Sequence, residues 1–146
     1  MAGLILVCQL CLHEGAEMSN INLTLKLNGL NCLFFGALFV FIPNIVIQFL
    51  STDQPAPEVV ILVIGVVLNL YGLLLLWIAN KKVVSPSLVL WIAIGDFLWV
   101  LGTVVLFLSG IWITDLNGMT VAGLVAILVG WLGWLQLQYY LANKSI

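Results

Sequence analysis

Four stretches of about twenty apolar residues, separated by short polar turns, leave most of this chain only one solvent to fold in, and that solvent is lipid. They run over residues 21–42, 58–80, 86–108 and 118–140. Roughly twenty such residues cross a bilayer as a helix, because each residue advances 1.5 Å. Composition agrees. Hydrophobic residues make up 64 % of the 146 and charged residues 7 %, where soluble domains carry roughly 45–50 % and about 25 %. So few charges could not cover a water-facing surface.

Breaks in the pattern set the boundaries. Pro43 ends the first span because it cannot donate the next helix bond. Residues 44–50 alternate enough to lie along the interface as a short helical turn, and 51–57, S-T-D-Q-P-A-P, form a loop. Pro57 and Glu58 suit a helix start. Pro86 opens the third span after the turn at 83–87, and 109–117 form the last loop. Loops this short predict antiparallel neighbours, hence an all-α, up-down-up-down four-helix bundle at 18–146.

The lysines orient it. Lys26, Lys81, Lys82 and Lys144 fall on one side of an even number of spans, which the positive-inside rule makes the cytoplasmic side. Both termini are expected there. Asp53, Glu58 and Asp115 fall on the other side. The net charge of −2 and the lack of any basic cluster exclude a nucleic-acid partner.

Residues 1–17 fit this scheme poorly. Their apolar run is too short to span, and it lacks the basic start of a signal peptide. Glu14-Gly15-Ala16 can be encoded by codons containing a purine-rich ribosome-binding sequence ahead of Met18. One reading is a bacterial gene whose translation starts at Met18, which makes residues 1–17 an extension; the other is a start at Met1. The protein is expected in the inner membrane. Cys8 and Cys11 form a single C-x-x-C with no second pair, and His13 is one residue too late for haem attachment.

Small residues recur where helices must approach closely, since lipid supplies no hydrophobic force between them. Gly65, Asn69 and Gly72 share a face of the second span. Gly29 and Gly36 lie two turns apart on the first, and Gly95 and Gly102 two turns apart on the third. Ala122, Ala126 and Gly130 repeat at four on the fourth. Beside this packing role, Gly65 and Gly72 are candidates for lining a ligand cleft.

Asp96 stands out most. It lies ten residues past Pro86, about 15 Å into the third span. A charge there costs about 2.5–3.5 kcal/mol, so the carboxyl must be protonated, paired, or facing a polar cavity. No Lys or Arg lies at that depth, and Asp96 is expected to be neutral at rest. Asn28 and Asn31 lie in the inner half of the first span, Asn69 near the middle of the second, and Gln136 in the inner part of the fourth. Tyr71 and Thr103 add hydroxyls. Asp96, Asn69, Asn31 and Gln136 are expected to converge, either as a hydrogen-bond clamp or as a proton- or ligand-handling site. Trp99, Trp131 and Trp134 surround this depth, and Trp91 lies nearby. They are candidates for bulk packing or for an aromatic-lined slot.

The third span, Trp91-Ile-Ala-Ile-Gly95-Asp96-Phe-Leu-Trp99-Val-Leu-Gly102, resembles a pattern in small uncharacterised bacterial four-span inner-membrane proteins. Phe41-Ile42-Pro43 and Gln136-x-Gln138 are similar to the same group. The architecture resembles that of the DoxX-like proteins from about Asn20 onward. The resemblance implies four spans and brings no catalytic residues.

No phosphate-binding or dinucleotide motif occurs, and one His with scattered carboxylates assembles no metal site within one chain. No catalytic residue and no cofactor is assigned. Two functions fit: an accessory or assembly subunit of a larger membrane complex, or an oligomeric binder or transporter of a lipid-soluble small molecule that uses Asp96.

Overall fold

The computed structural model describes the backbone of residues 2–144 and the side chains of residues 20–144. Cys8, Cys11, His13 and the Met18 start lie outside the described side chains. Five helices follow in order: α1 (Ala2–Phe41), α2 (Pro43–Leu50), α3 (Glu58–Ala79), α4 (Pro86–Ser109) and α5 (Leu116–Asn143). Among the described residues four segments are long and apolar enough to cross a membrane: Asn20–Phe41 within α1, then α3, α4 and α5.

Local chemistry accounts for the ends. Pro43 stops α1 and opens α2. Pro57 precedes α3, whose first turn carries Glu58. Pro86 opens α4, and Gly110 closes it in the left-handed conformation at φ 64°, which glycine adopts without steric penalty.

The spans pack as two antiparallel pairs. In the first, α1 lies on α3 through a seam of bare backbone. A Cβ on Gly72 would stand 2.8 Å from the Gly29 carbonyl oxygen, and one on Gly36 would stand 2.9 Å from that of Gly65. Asn69 lies in the same seam and donates to the Gly65 carbonyl at 2.8 Å. In the second, α4 lies on α5. A Cβ on Gly133 would stand 3.2 Å from that of Asp96, and one on Gly130 would stand 3.4 Å from Val100.

The expected side-by-side placement of every consecutive pair needs correction. Although α3 and α4 are joined only by residues 80–85, their Cα traces nowhere come within 8 Å. Bulky side chains hold them apart: Leu75 and Tyr71 on α3 pack with Val89 and Ile92 on α4. Close approach needs small residues on both sides, and here Gly95 merely meets the ring of Tyr71. α1 and α5 make the closer contact between the pairs.

Each end of the bundle is fastened. At the lysine-bearing end, Ile21, Leu25, Leu75, Ile78, Val89 and Ile92 form a buried cluster, and the Tyr139 hydroxyl donates to the Val84 carbonyl at 3.3 Å. At the opposite end the two loops lock together. Thr114 and Asp115 donate their amides to the Leu50 carbonyl at 3.0 and 3.1 Å. The Ser51 and Thr114 hydroxyls share a hydrogen bond of 2.6 Å, and the Thr52 amide donates to Asp115 Oδ2 at 3.0 Å.

Candidate functional site

Asp96 is only 2 % exposed, and three of the four spans reach it from outside its own. From α1, Asn28 Nδ2 donates to Oδ2 at 2.6 Å. From α5, Gln136 Nε2 donates to the same oxygen at 3.0 Å. From α3, the Tyr71 hydroxyl lies 3.4 Å from Oδ1 and 3.2 Å from the Ile92 carbonyl. These residues sit at one depth because each lies seven to ten positions from the same end of the bundle. Asn28 is eight from Asn20, Tyr71 eight from Ala79, Asp96 ten from Pro86 and Gln136 seven from Asn143.

The partners differ in how firmly they are held. Asn28 is fully buried and engaged at both ends of its amide, since its Oδ1 lies 3.8 Å from the Cys32 thiol. Gln136 is equally buried, but its Oε1 makes no hydrogen bond. Gly133 leaves room for the acid. Its missing side chain lets α5 close on the Asp96 Cβ.

A cavity begins at this carboxyl. Its inner chamber, about 310 Å³, is lined by Asp96, Tyr71, Gly95, Asn31, Cys32 and the apolar residues around them. It meets an outer chamber of about 650 Å³ at Phe35, Ile64, Trp99 and Val125, which line both. Gly102 lines the outer chamber, and a Cβ there would meet nothing within 4 Å. Trp112 lines it from the loop before α5, with φ at 64°, a left-handed conformation uncommon for a bulky residue. Apart from the Asp96 end, the lining is almost wholly apolar. The inner chamber sits where α3 and α4 stand apart, with the half-exposed Val63 and Val67 at its edge.

Of the residues singled out in the sequence, Asp96 and Gln136 are hydrogen-bonded to each other. Asn31 lines the inner chamber without bonding Asp96, and Asn69 is spent on the α1–α3 seam. Gly65 and Gly72 also belong to that seam and line neither chamber. Trp99 faces the cavity. Trp131 and Trp134, 61 % and 49 % exposed, point away from the bundle toward lipid. Thr103 lines the outer chamber and donates back to the Trp99 carbonyl at 3.0 Å.

Asn28 and Tyr71 are the partners that the expected convergence omitted. A signal for both was present in depth, counted from the shared helix ends. In the structure Asn28 belongs to a buried stripe at helical spacing with Ile21, Leu25 and Cys32.

No family is identified. Neither a protein family nor a curated protein nor a solved structure matches the chain. Among the described residues no group of His, Cys, Asp and Glu could hold a metal ion.

Proposed function

We propose that this protein binds a lipid-soluble small molecule between its two helix pairs, with the polar end of the ligand at Asp96. The observation that supports the reading is a cavity, apolar along its length, that ends on a buried carboxyl. Ligand sites combine an apolar lining with a few placed polar groups, and an ionisable residue inside a membrane marks function more often than packing. The size is suitable, since 650 Å³ falls within the 300–1,000 Å³ typical of small-molecule sites.

The reading places the lysine-bearing end in the cytoplasm, following the positive-inside rule, with the Trp112 loop on the far side. It sets aside the accessory-subunit role, which rests on missing motifs alone, in favour of one that uses the cavity. Self-association is compatible with it, because the outward faces of α4 and α5 are free of cavity residues at Trp91, Trp131 and Trp134.

Native mass spectrometry of protein extracted gently from its own membranes tests the proposal. The wild type should carry a defined small-molecule mass. Gly102→Phe, which fills the outer chamber, should lose it. A stoichiometric assembly with other proteins and no bound small molecule would return the role to that of an accessory subunit.

A further inference from the structure

We propose that the ligand is an amphipathic amine, whose protonated N–H head pairs with Asp96 and whose apolar body fills the chambers. The inference rests on the binding reading above and names the class of molecule bound. Its first support is the set of groups around the acid. Asn28 and Gln136 present amide N–H groups to Oδ2, so that oxygen is a saturated acceptor. Oδ1 has only the distant Tyr71 hydroxyl, which lies nearer the Ile92 carbonyl. An ionised carboxylate has about four acceptor sites, and Oδ1 retains open capacity.

That capacity faces the cavity. Asn28 and Gln136, the partners of Oδ2, do not line the chamber, whereas Tyr71, the neighbour of Oδ1, does. Once the acid gives up its proton, Oδ1 becomes an open acceptor for a cation that enters. It has no counter-charge of its own, because among the described residues no lysine pairs with Asp96, and the chain contains no arginine. A buried carboxylate, once ionised, is costly without a cation, and the ligand supplies one. The rings of Phe35, Tyr71 and Trp99 line the same chamber, and aromatic faces attract cations.

The route in is sideways. At the loop end Trp112 lines the outer chamber, and the Ser51–Thr114 and Thr52–Asp115 bonds tie the two loops together. Between α3 and α4 the backbones stand apart, and Val63, Val67 and Leu98 are exposed along that opening. A long-chain amine dissolved in the bilayer reaches Asp96 without crossing water.

The proton balance follows. In the empty site a proton occupies Asp96 in place of the cation. Binding of R–NH3+ displaces it, giving the R–NH3+ carboxylate pair and one released proton. Binding therefore strengthens as pH rises, by up to about tenfold per pH unit for one exchanged proton. The titratable groups that line the chamber with Asp96 are Cys32 from α1 and Tyr71 from α3, while α5 faces it with the non-titrating Gln136. Neither Cys32 nor Tyr71 carries positive charge, so neither substitutes for the amine.

The test uses the full chain in phosphatidylcholine nanodiscs with three chain-matched molecules: dodecylamine, dodecanol and dodecanoate. Native mass spectrometry reads occupancy between pH 6 and pH 8. Dodecylamine should bind one to one, at least tenfold more tightly than the other two, and more tightly at pH 8. Asp96→Asn should erase that preference while still admitting dodecanol, with circular dichroism confirming the fold. Gly102→Phe, which leaves Asp96 in place, should exclude all three. Equal binding of dodecanol, or an amine preference that survives Asp96→Asn, would overturn the amine assignment and leave the cavity reading standing. Failure of all three to bind the wild type would remove both.

Discussion

Asn28 and Asp96 hydrogen-bond at 2.6 Å across α1 and α4, two helices whose Cα traces nowhere come within 8 Å. The bond is thus a strut between the helix pairs and not a by-product of close packing. Hydrogen bonds between transmembrane helices contribute about 0.6 kcal/mol on average and up to about 1.7 kcal/mol. A double-mutant cycle of Asn28→Ala and Asp96→Ala should give a coupling in the upper part of that range when unfolding is followed in detergent. A coupling near zero would mean that this bond does not help to hold the two pairs together.

The two amides on Asp96 should differ in their cost of removal. Asn28 is engaged at both ends, so Asn28→Leu loses its bonds and leaves Asp96 short of a donor. Gln136→Leu removes one bond but also removes a buried carbonyl that has no partner, and an unpaired buried polar group costs about 1–3 kcal/mol. Gln136→Leu is therefore expected to be the milder change by about 1 kcal/mol. Paired unfolding curves decide it, and a larger loss for Gln136→Leu would contradict the ranking.

The glycines separate into two kinds. At Gly36 and Gly72 a Cβ would press on facing backbone at 2.9 and 2.8 Å, and overpacking typically costs 1–3 kcal/mol. At Gly102 a Cβ meets nothing, and Gly→Ala in a helix gains about 1 kcal/mol. Gly72→Ala should lower the thermal midpoint in detergent and Gly102→Ala should raise it. Equal shifts would mean that the α1–α3 seam is not close-packed.

The loop latch offers a check on the route into the cavity. With Cys8, Cys11 and Cys32 replaced by Ser, the pair Ser51→Cys and Thr114→Cys should form a disulfide, since the native hydroxyls lie 2.6 Å apart. Access between α3 and α4 predicts that oxidation leaves the rate of dodecylamine uptake unchanged. A marked slowing on oxidation would place the opening at the loops.

Sequence reading went furthest where the bilayer sets the rule. Span lengths, the proline boundaries and the depth of Asp96 all follow from hydrocarbon thickness and backbone bonding. The α1–α3 seam at Gly29, Gly36, Gly65 and Gly72 was legible for a similar reason, since only small residues permit that approach. Facing was harder. A helix that is apolar all round gives no periodic sign of which side meets protein and which meets lipid, so Asn31 and Asn28 could not be separated by composition. Trp131 and Trp134, expected around the polar zone, lie outside both chambers. The separation of α3 from α4 depends on how Tyr71, Leu75, Val89 and Ile92 interlock, which no one-dimensional pattern encodes.

Holding α3 away from α4 also ties the protein to the state of the membrane around it. Hydrocarbon must occupy the opening whenever no ligand does, because an unfilled gap forfeits dispersion contacts. A straight saturated chain and a kinked unsaturated one fill such a slot differently. Membrane fluidity then reaches the Asp96 carboxyl through packing alone.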